Sequence, residues 1–486
     1  MAGLDEVTRR LRRELGAATV IEDRQQLRTY ECDGLAHYKV VPGLAVLART
    51  AADVLATVRA CAEHGVPFVA RGSGTGLSGG ALPHADGVLV VTSRMRAIRE
   101  VDLDSQRAVV EPGVINLQIS RAAAAGGYYY APDPSSQQVC SIGGNVAENA
   151  GGAHCLKYGF TTNHVLGVEL VTPTGDVVTL GGKAVDPPGY DLLGVIVGSE
   201  GTLGVATEVT VRLTRAPETV RTLLAGFGDT DSAGRAVSAI IAAGVIPAAV
   251  EMMDALAIEA AEAAVGCGYP AGAGAVLIVE LDGPEAEVEA QFDSVVDFCR
   301  EAGATEIRVA ADDAERALFW KGRKSAFAAV GRISPDYIVQ DGVIPRTALP
   351  AVLRAIAALS AGSGVRVANV FHAGDGNLHP LVLFDADVPG EAEHAEAVSG
   401  AILDLCLEHG GSITGEHGVG SDKAKHMPRM FGPDDLDTMQ LVRCAFDPAG
   451  LSNPGKVFPT PRLCGEVPGR HRGAHPLVEA GLADQF

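Results

Sequence analysis

A chain of 486 residues, 47 % of them hydrophobic, is long for one domain and supports large cores, so two or three domains are expected. Its 39 Lys and Arg residues against 60 Asp and Glu residues give a net charge of −21, which argues against nucleic acid as a partner. The apolar runs are too short, or too interrupted by glycine, to span a bilayer. We therefore expect a cytoplasmic protein without a membrane span, which reaches the inner membrane only peripherally, through partners.

The chain begins with a predicted helical segment, residues 1–38, in which apolar residues recur at helical spacing: Leu4, Val7, Leu11 and Leu15. From residue 39 the pattern becomes strand, helix, strand. An amphipathic helix is predicted at Ala52–Gly65, and the apolar run VPFVAR follows it. This order predicts an α/β unit.

A glycine-rich loop, RGSGTGLSGG from Arg71 to Gly80, follows this unit and is called the glycine loop below. A chain with so few Cβ atoms turns consecutive N–H groups inward and forms a concave site for a phosphate or pyrophosphate. Gly74, Gly76 and Gly79 also spell the G-x-G-x-x-G of a Rossmann fold, but that motif needs a helix after the loop. Another apolar strand, GVLVVT, follows here, which excludes the Rossmann interpretation.

Two further glycine-rich regions lie at Ala131–Gly152 and Gly198–Gly204. The corner Gly143-Gly144-Asn145 allows the backbone to approach a ligand closely. The alternative is a simple turn before a helix that Asn145 caps. Three such regions between residues 70 and 205 indicate one large ligand with several polar groups.

The composition and the pattern of the sequence change after Pro217. Glycine corners become rarer, and alanine-rich helical stretches alternate with apolar strands such as Ala275–Asp282. We place a domain boundary near Ala216 and extend the second domain to about residue 410.

Two histidines, His372 and His379, flank a tight turn between apolar strands, and Glu416 and His417 stand side by side in a glycine-framed loop. Two imidazoles and one carboxylate can form a three-ligand site for zinc, manganese or ferrous iron. His417 would then be a free imidazole beside the metal, suited to general-base catalysis. The alternative is that these histidines are hydrogen-bonded core or turn residues. Asp375 is a rival ligand, although its position in the turn also explains it.

A basic segment, FWKGRKSAF, contains Arg323 next to the single tryptophan, Trp320. Arg323 could bind a substrate carboxylate through two parallel hydrogen bonds. Taken locally, a solvated helix face explains the segment better.

Together these motifs resemble the FAD-linked oxidase family with the vanillyl-alcohol oxidase / p-cresol methylhydroxylase fold, and within it the flavin-bearing D subunits of bacterial glycolate oxidases and other D-2-hydroxyacid dehydrogenases. The resemblance extends from about Tyr30 to Pro459 and depends on many phrases in one order: YECDGLAHY, RGSGTGLSGGALP, YYAPDPSSQ, CSIGGNVAENAGG, HCLKYG, GRISPDY, NVFHAGDGNLHP, GEHGVG and NPGKVFPT. It implies an α+β fold with a two-part FAD-binding domain, a cap domain with an antiparallel sheet, and a C-terminal segment that returns to the FAD domain.

The resemblance implies domain bounds of 1–38, 39–216 for FAD binding, 217–410 for substrate, 411–459 for the returning segment and 460–486 for a tail. Relatives that attach flavin covalently through the glycine loop carry histidine where Thr75 stands, so noncovalent FAD is expected. The residues implied to bind it are Arg71, Gly72, Ser73, Gly74, Thr75, Gly76, Leu77, Ser78, Gly79, Pro132, Asp133, Ser135, Ser141, Gly143, Gly144, Asn145, Asn149, Glu200, Gly204 and Asn453.

The resemblance also assigns roles in catalysis. His372, His379 and Glu416 match the family's metal ligands, His417 matches its base, and Arg323 matches its carboxylate-binding arginine. A second basic residue, which some 2-hydroxyglutarate-oxidising relatives use, is missing near Val339. A small substrate, glycolate or D-lactate, is therefore favoured over a dicarboxylate.

The expected activity is hydride transfer from C2 of a 2-hydroxy acid to flavin N5. Because none of the nine cysteines forms a C-x-x-C pair, electrons are expected to leave through iron–sulfur and second flavin-fold subunits or another acceptor. One alternative is a stand-alone D-lactate or D-2-hydroxyglutarate dehydrogenase. The other is a catalytically silent flavin-fold subunit that serves assembly only.

Overall fold

The computed structural model describes residues 2–184 and 189–459. The tail expected at 460–486 lies outside the described residues. The strands of the first half are β1 Val20–Ile21, β2 Leu44–Leu47, β3 Phe68–Arg71, β4 Val88–Val91, β5 Ile98–Asp102, β6 Arg107–Val110, β7 Tyr128–Tyr129, β8 Val165–Val171, β9 Val177–Gly181, β10 Val205–Arg212 and β11 Thr214–Arg215. Its helices are α1 Ala2–Leu15, α2 Arg24–Leu27, α3 Ala51–His64, α4 Asn116–Ala123, α5 Ile142–Glu148, α6 Cys155–Tyr158 and α7 Leu192–Ile196.

The two strands of the predicted strand–helix–strand unit, β2 and β3, belong to a four-stranded sheet with the order β1-β2-β4-β3, in which β4 lies between them. Strands β2, β4 and β3 are parallel, and β1 pairs antiparallel with β2. The Thr50 side chain accepts a hydrogen bond from Asp53 N and so caps α3, which ends at Gly65 with φ of +62°. The helix predicted at 52–65 is thus confirmed with a shift of one residue. Helices α1 and α3 pack their apolar faces on this sheet.

A second sheet in the first half has five antiparallel strands in the order β5-β6-β10-β8-β9. Its inner face packs against α4, α5 and α7 around a core that contains the fully buried Tyr130. The two sheets place the glycine loop and α5 on the side that faces the second half of the chain.

The strands of the second half are β12 Thr219–Phe227, β13 Ala249–Asp254, β14 Ala275–Gly283, β15 Ala304–Val309, β16 Asp336–Val339, β17 Gly342–Val343, β18 Val367–His372, β19 Asn377–Leu378 and β20 Pro380–Phe384. Its helices are α8 Thr230–Ala242, α9 Ala255–Val265, α10 Glu285–Glu301, α11 Asp313–Val330, α12 Leu349–Ser363, α13 Glu391–Glu408, α14 Met427–Met430 and α15 Pro433–Phe446. None of these described helices, or of those in the first half, is both long and apolar enough to span a bilayer.

The strands from β12 to β20 form one sheet, with the central order β15-β12-β14-β13-β18-β19-β17 and antiparallel pairing. Alternate residues of β14 enter different cores: Leu277 and Val279 pack with α8, α10, α12 and α13, whereas Val276 and Ile278 pack with α9 and α11. Both faces of the sheet are therefore covered by helices, which explains why its central strands are mostly apolar on both faces.

The C-terminal segment returns to the first half, as the resemblance implies. Phe68 N of β3 donates to Leu451 O at 2.9 Å, and Asn453 N donates to Phe68 O at 2.8 Å. Residue Ser452 thereby forms a parallel bridge with Phe68 at the free edge of the four-stranded sheet. Helices α14 and α15 precede this strand-like stretch, so the segment spans both halves of the molecule.

A buried charge network joins the two halves. His154 of the first half contacts Asp133 Oδ2 at 2.8 Å through Nδ1 and Glu280 Oε1 of β14 at 3.2 Å through Nε2. Glu280 also accepts hydrogen bonds from Trp320 Nε1 at 2.8 Å and from Arg316 Nε at 2.8 Å, both on α11. Although burial opposes the charged form, Asp133 and Glu280 raise the pKa of His154 to about 10. A charged His154 therefore joins the first half to the helix α11.

This network predicts a pH dependence of stability. Since the pKa of His154 is raised in the folded state, its contribution is complete below about pH 6.5, the ordinary value, and is lost as the pH rises through about 10. We expect the melting temperature of the protein to fall across this range, and to fall less in His154→Ala. Thermal unfolding between pH 6 and pH 10 measures this, with the exposed His64→Ala as control. If the melting temperature depends on pH in the same way in His154→Ala and in the unsubstituted protein, the prediction is contradicted.

Candidate active site

A cavity of about 770 Å³ lies between the two halves of the molecule. The first half lines it with the glycine loop, the first turn of α5 and the corner at 199–206. The second half lines it with α11, β16 and the side chains of His379, Glu416 and His417. This volume lies within the range of pockets that enclose small-molecule ligands and cofactors.

The glycine loop leads from β3 to β4 with no helix between them, as predicted, although the two strands are parallel neighbours. Gly74 and Gly79 have φ of +71° and +74°, and a Cβ atom at Gly74 would overlap the guanidinium of Arg71. Arg71 Nη1 donates to Cys32 O at 2.7 Å and holds the N-terminal segment against the loop. The backbone of the loop therefore faces the cavity without obstruction.

The second predicted corner, Gly143-Gly144-Asn145, differs from the expectation. These residues lie inside the first turns of α5, which begins at Ile142 after Ser141. The helix forms because the backbone of Gly143 packs directly on Pro112, where no Cβ atom would fit. Neither a free corner nor an Asn145 cap is found, but both glycines and Asn145 still line the cavity.

The third region, Gly198–Gly204, connects the cavity wall to the C-terminal segment. Glu200 has φ of +53°, and its carboxylate accepts hydrogen bonds from Val419 N and Gly420 N, each at 2.6 Å. Asn453 Nδ2 donates to Gly80 O at 2.9 Å and to Glu200 O at 2.6 Å. These contacts bring residues from three distant parts of the sequence to one wall.

Most of the residues that the resemblance assigns to the cofactor line this cavity: Arg71, Gly72, Ser73, Gly74, Thr75, Gly76, Leu77, Ser135, Ser141, Gly143, Gly144, Asn145, Glu200 and Gly204. The others do not line it: Ser78, Gly79, Pro132, Asp133, Asn149 and Asn453. Asp133, for example, is occupied by His154, and Asn149 Oδ1 accepts a hydrogen bond from Thr162 N at 2.9 Å. This second set supports the wall.

Three of the predicted metal ligands, His372, His379 and Glu416, form a compact group called the His–Glu cluster below. His372 Nε2 lies 3.2 Å and His379 Nε2 lies 3.0 Å from the same atom, Glu416 Oε1. One ligand atom from each residue lies within 4.8 Å of the others. The tight turn from β18 to β20 brings the two histidines together, and the loop after α13 supplies Glu416. The spacing suits a small divalent cation.

His417 lies beside the cluster on the side of the cavity. Its ring stacks on that of His379 with centroids 4.9 Å apart, and its Nε2 lies 4.0 Å from Glu416 Oε1. Burial lowers the pKa of His417 to about 4, which keeps the imidazole neutral near pH 7. Although burial opposes it, His372 and His379 hold the pKa of Glu416 well below its usual range. The carboxylate of Glu416 is thus ionised and the adjacent imidazole of His417 is neutral.

Asp375, the rival carboxylate, lies apart from the His–Glu cluster. Its Oδ1 accepts a hydrogen bond from Asn377 N at 3.0 Å, which is the turn geometry that the sequence suggested as its other role. It is not among the described residues grouped as possible metal ligands. Burial raises the pKa of Asp375 to about 6.

Glu251, in the apolar strand β13, is a residue that the sequence interpretation missed. Its Oε1 lies 2.7 Å from His372 Nδ1, and its Oε2 lies 2.7 Å from Arg323 Nη2. All three side chains are buried, and Arg323 is only 2 % exposed. Contact with a carboxylate fixes the tautomer of a ligating histidine and raises its basicity. The only sequence signal was an acidic residue in the middle of a buried strand.

Arg323 does not lie where an arginine that binds a substrate carboxylate in the cavity would be expected. It lies on the buried side of α11, pairs with Glu251 and does not line the cavity, whereas Lys324, the next residue, does. The locally favoured interpretation of Arg323 as part of a solvated helix face is wrong, since the side chain is buried.

Asp341 is a second missed residue and organises the loop of Glu416 and His417. Its fully buried carboxylate accepts hydrogen bonds from Thr414 Oγ1 at 2.6 Å and from Gly415 N and His417 N at 2.9 Å each. Lys423 Nζ approaches the same carboxylate to 3.3 Å. One anion therefore gathers consecutive N–H groups and fixes the direction of both functional side chains.

The sequence of the chain matches known protein families. A model described as "FAD binding domain" matches residues 42–181, and one described as "FAD linked oxidases, C-terminal domain" matches residues 216–457. The glycolate oxidase subunit GlcD of Escherichia coli (strain K12) is 53 % identical over 461 residues, which cover 95 % of this chain and 92 % of that protein. The chain belongs to the FAD-linked oxidase family.

A more distant relative and a solved structure with a similar fold were also found. A D-lactate dehydrogenase of Anaerostipes hadrus is 32 % identical, with 87 % of this chain and 91 % of that protein covered. The crystal structure of p-cresol methylhydroxylase with substrate bound superposes with a TM-score of 0.78 at 17 % identity and covers 94 % of this chain and 97 % of that one. This likeness confirms the predicted fold class, and the chain is an FAD-linked oxidoreductase.

The residues that line the cavity fit FAD. The matched FAD-binding region contains the glycine loop and α5, and a Cβ atom at Gly72 would displace Ser141 Oγ, so the two segments approach each other closely at the cavity wall. Asn145 Nδ2 is buried without a hydrogen-bond partner among the described residues, although Asn145 lines the cavity. A buried donor that faces a cavity is expected to pair with a polar ligand.

Proposed function

We propose that this protein oxidises a small D-2-hydroxy acid, glycolate or D-lactate, to the 2-oxo acid, as the catalytic subunit of a glycolate oxidase. The observation that supports this most strongly is that His379, Glu416 and His417 line the same cavity as the glycine loop. A metal-ligand set and a base therefore face the site expected for the flavin. The names of the relatives, a glycolate oxidase subunit and a D-lactate dehydrogenase, point to the same class of substrate.

In this proposal noncovalently bound FAD would supply the acceptor for the hydride from C2, and a divalent cation, zinc first and manganese or iron as alternatives, would supply a Lewis acid for the substrate hydroxyl. His372, His379 and Glu416 would hold the cation. His417 takes the hydroxyl proton on Nε2, the nitrogen nearest to Glu416. Glu251 keeps the Nε2 atom of His372 directed at the cluster through its contact with Nδ1.

The resemblance assigns Arg323 to the substrate carboxylate, but because its side chain pairs with Glu251 and does not line the cavity, we propose that it acts on substrate orientation only indirectly, through Glu251. In support, its charge lies next to the His–Glu cluster through Glu251, and its Nε is buried without a hydrogen-bond partner among the described residues. Lys324 lines the cavity and offers a second cation at its wall. The absence of a basic residue at Val339, which also lines the cavity, favours a monocarboxylate.

Electrons must leave the reduced protein. We propose that they pass to iron–sulfur and second flavin-fold subunits or to another acceptor on the cytoplasmic side of the inner membrane. A stand-alone D-lactate or D-2-hydroxyglutarate dehydrogenase is the alternative within the family. A silent assembly subunit is the alternative of another class, and the intact His–Glu cluster argues against it, since a scaffold has no need for it.

The experiment is anaerobic reduction of the purified yellow protein by glycolate, D-lactate and D-2-hydroxyglutarate. The loss of flavin absorbance reports the reduction. We expect rapid bleaching by glycolate or D-lactate, slow bleaching by D-2-hydroxyglutarate, and loss of bleaching after treatment with a chelator. Restoration by added Zn²⁺ or Mn²⁺ identifies the metal. If the flavin stays oxidised with all three acids while metal is bound, the catalytic proposal is wrong and the assembly alternative stands.

A further inference from the structure

One carboxyl group on the cavity wall has no role in the function proposed above. Glu148, the last residue of α5, lines the cavity, and its Oε2 is buried without a hydrogen-bond partner among the described residues. Backbone from two directions packs against it. A Cβ atom at Gly80 would come within 2.6 Å of Glu148 Oε1, and a Cβ atom at Gly418 would overlap Oε2.

The neighbouring acidic residues are satisfied by backbone donors, and Glu148 is not. Glu200 accepts two N–H groups at 2.6 Å, and Asp33 accepts Leu35 N at 3.0 Å and Ala81 N at 3.4 Å. Native proteins rarely keep a buried polar atom unpaired unless a ligand or water pairs with it. Glu148 thus has the character of a ligand-facing group.

The nearby lysines are engaged elsewhere. Lys456 Nζ donates to Leu82 O at 2.9 Å, and Lys423 Nζ contacts Asp341. Burial, together with the charges of Glu200 and Asp33, raises the pKa of Glu148 well above its usual range. The direction of this shift, which the charges of Lys423 and Lys456 oppose, favours the protonated carboxyl group, the form that offers an O–H donor.

The position of Glu148 in the cavity indicates which part of a bound cofactor its carboxyl group would contact. Gly418, against which its carboxyl packs, directly follows His417, and Gly80 ends the glycine loop. The group therefore lies where the catalytic loop meets the cofactor wall, next to the site where substrate and flavin ring come together in the proposed function.

We propose that Glu148 is a further cofactor-contacting residue, whose carboxyl group donates a hydrogen bond to the polar edge of the flavin ring and stabilises the reduced ring. Reduction adds electron density to this edge, and a fixed donor strengthens as that density grows. Glu148 would therefore raise the midpoint potential of the flavin. This inference rests on the proposed function for the position of the ring.

The test is a redox titration of bound FAD by photoreduction with a reference dye, without any hydroxy acid. Glu148→Gln retains an N–H donor of similar size, whereas Glu148→Met retains only the shape. We expect the midpoint potential of FAD in Glu148→Gln to stay near that of the unsubstituted protein. In Glu148→Met the equilibrium should shift away from reduced flavin at least tenfold, which lowers the potential by about 30 mV for a two-electron couple. The exposed Glu218→Met serves as the matched control.

A second measurement covers the case in which Glu148→Met does not fold. The infrared difference spectrum between oxidised and reduced protein should contain the shifted band of a protonated carboxylic acid, and Glu148→Gln should lack it. Equal potentials in Glu148→Met and the unsubstituted protein, or a difference spectrum unaffected by Glu148→Gln, would overturn the inference. Because no hydroxy acid is used, a failure of the proposed substrate leaves both readouts intact.

Discussion

Replacing His417 with glutamine is expected to slow reduction of the flavin by glycolate or D-lactate on the order of 10²- to 10⁴-fold, the usual contribution of a positioned general base. The ring of His417 lies on the cavity side of the His–Glu cluster, and the other described histidines of the site, His372 and His379, contact Glu416 through Nε2. Glutamine keeps a polar side chain but cannot accept the substrate proton. Stopped-flow absorbance under anaerobic conditions measures the rate.

The same variant should keep its cofactor and its fold. Asp341 holds the loop through the backbone N–H of residue 417, at 2.9 Å, and the substitution leaves that bond in place. FAD content and melting temperature should therefore match those of the unsubstituted protein, and the exposed His409→Gln should reduce its flavin at the normal rate. A fast His417→Gln variant with bound FAD would assign the base to another residue.

Features set by neighbouring residues were predictable from the sequence. The glycine loop follows a strand and precedes another, and the histidines at 372 and 379 are separated by a turn too short to place them apart. Such patterns depend on backbone freedom and periodicity, which a single segment determines. The grouping of Glu416 with them was suggested by residue type alone and strengthened by the resemblance, because nothing local connects residue 416 to residue 372.

Features set by packing between distant strands were not predictable in this way. Glu251 and Asp341 look like isolated acids in apolar surroundings, and their roles appear only when β13 lies next to β18 and the C-terminal segment folds over β17. The same holds for Arg323, which local charge placed on a solvated face and the sheet buries. For Glu251 and Asp341 a charged residue in an apolar stretch was the available signal, since such a residue needs a partner when it is buried. Arg323, in a basic segment, offered no such signal.

The replacement of Glu251 by alanine is expected to have two separable effects. It leaves the Arg323 charge buried and unpaired, which typically lowers the free energy of unfolding by about 3–5 kcal/mol. It also frees the Nδ1 atom of His372, which typically weakens metal binding about 10- to 100-fold. Denaturant unfolding measures the first effect. Titration of the metal-depleted protein with Zn²⁺ measures the second. Glu306→Ala, on the exposed edge strand of the same sheet, should change neither.

The double variant Glu251→Ala with Arg323→Met separates the two causes. Removing both partners of a buried ion pair costs less than removing one, so stability should recover in large part. Metal affinity should stay low, because His372 still lacks the carboxylate that lies 2.7 Å from its Nδ1. If metal affinity returns together with stability, Glu251 acts only as the counter-charge of Arg323. If affinity stays low in a stable double variant, the carboxylate of Glu251 orients the metal ligand itself, and this buried strand residue belongs to the catalytic site as much as the glycine-framed loops do.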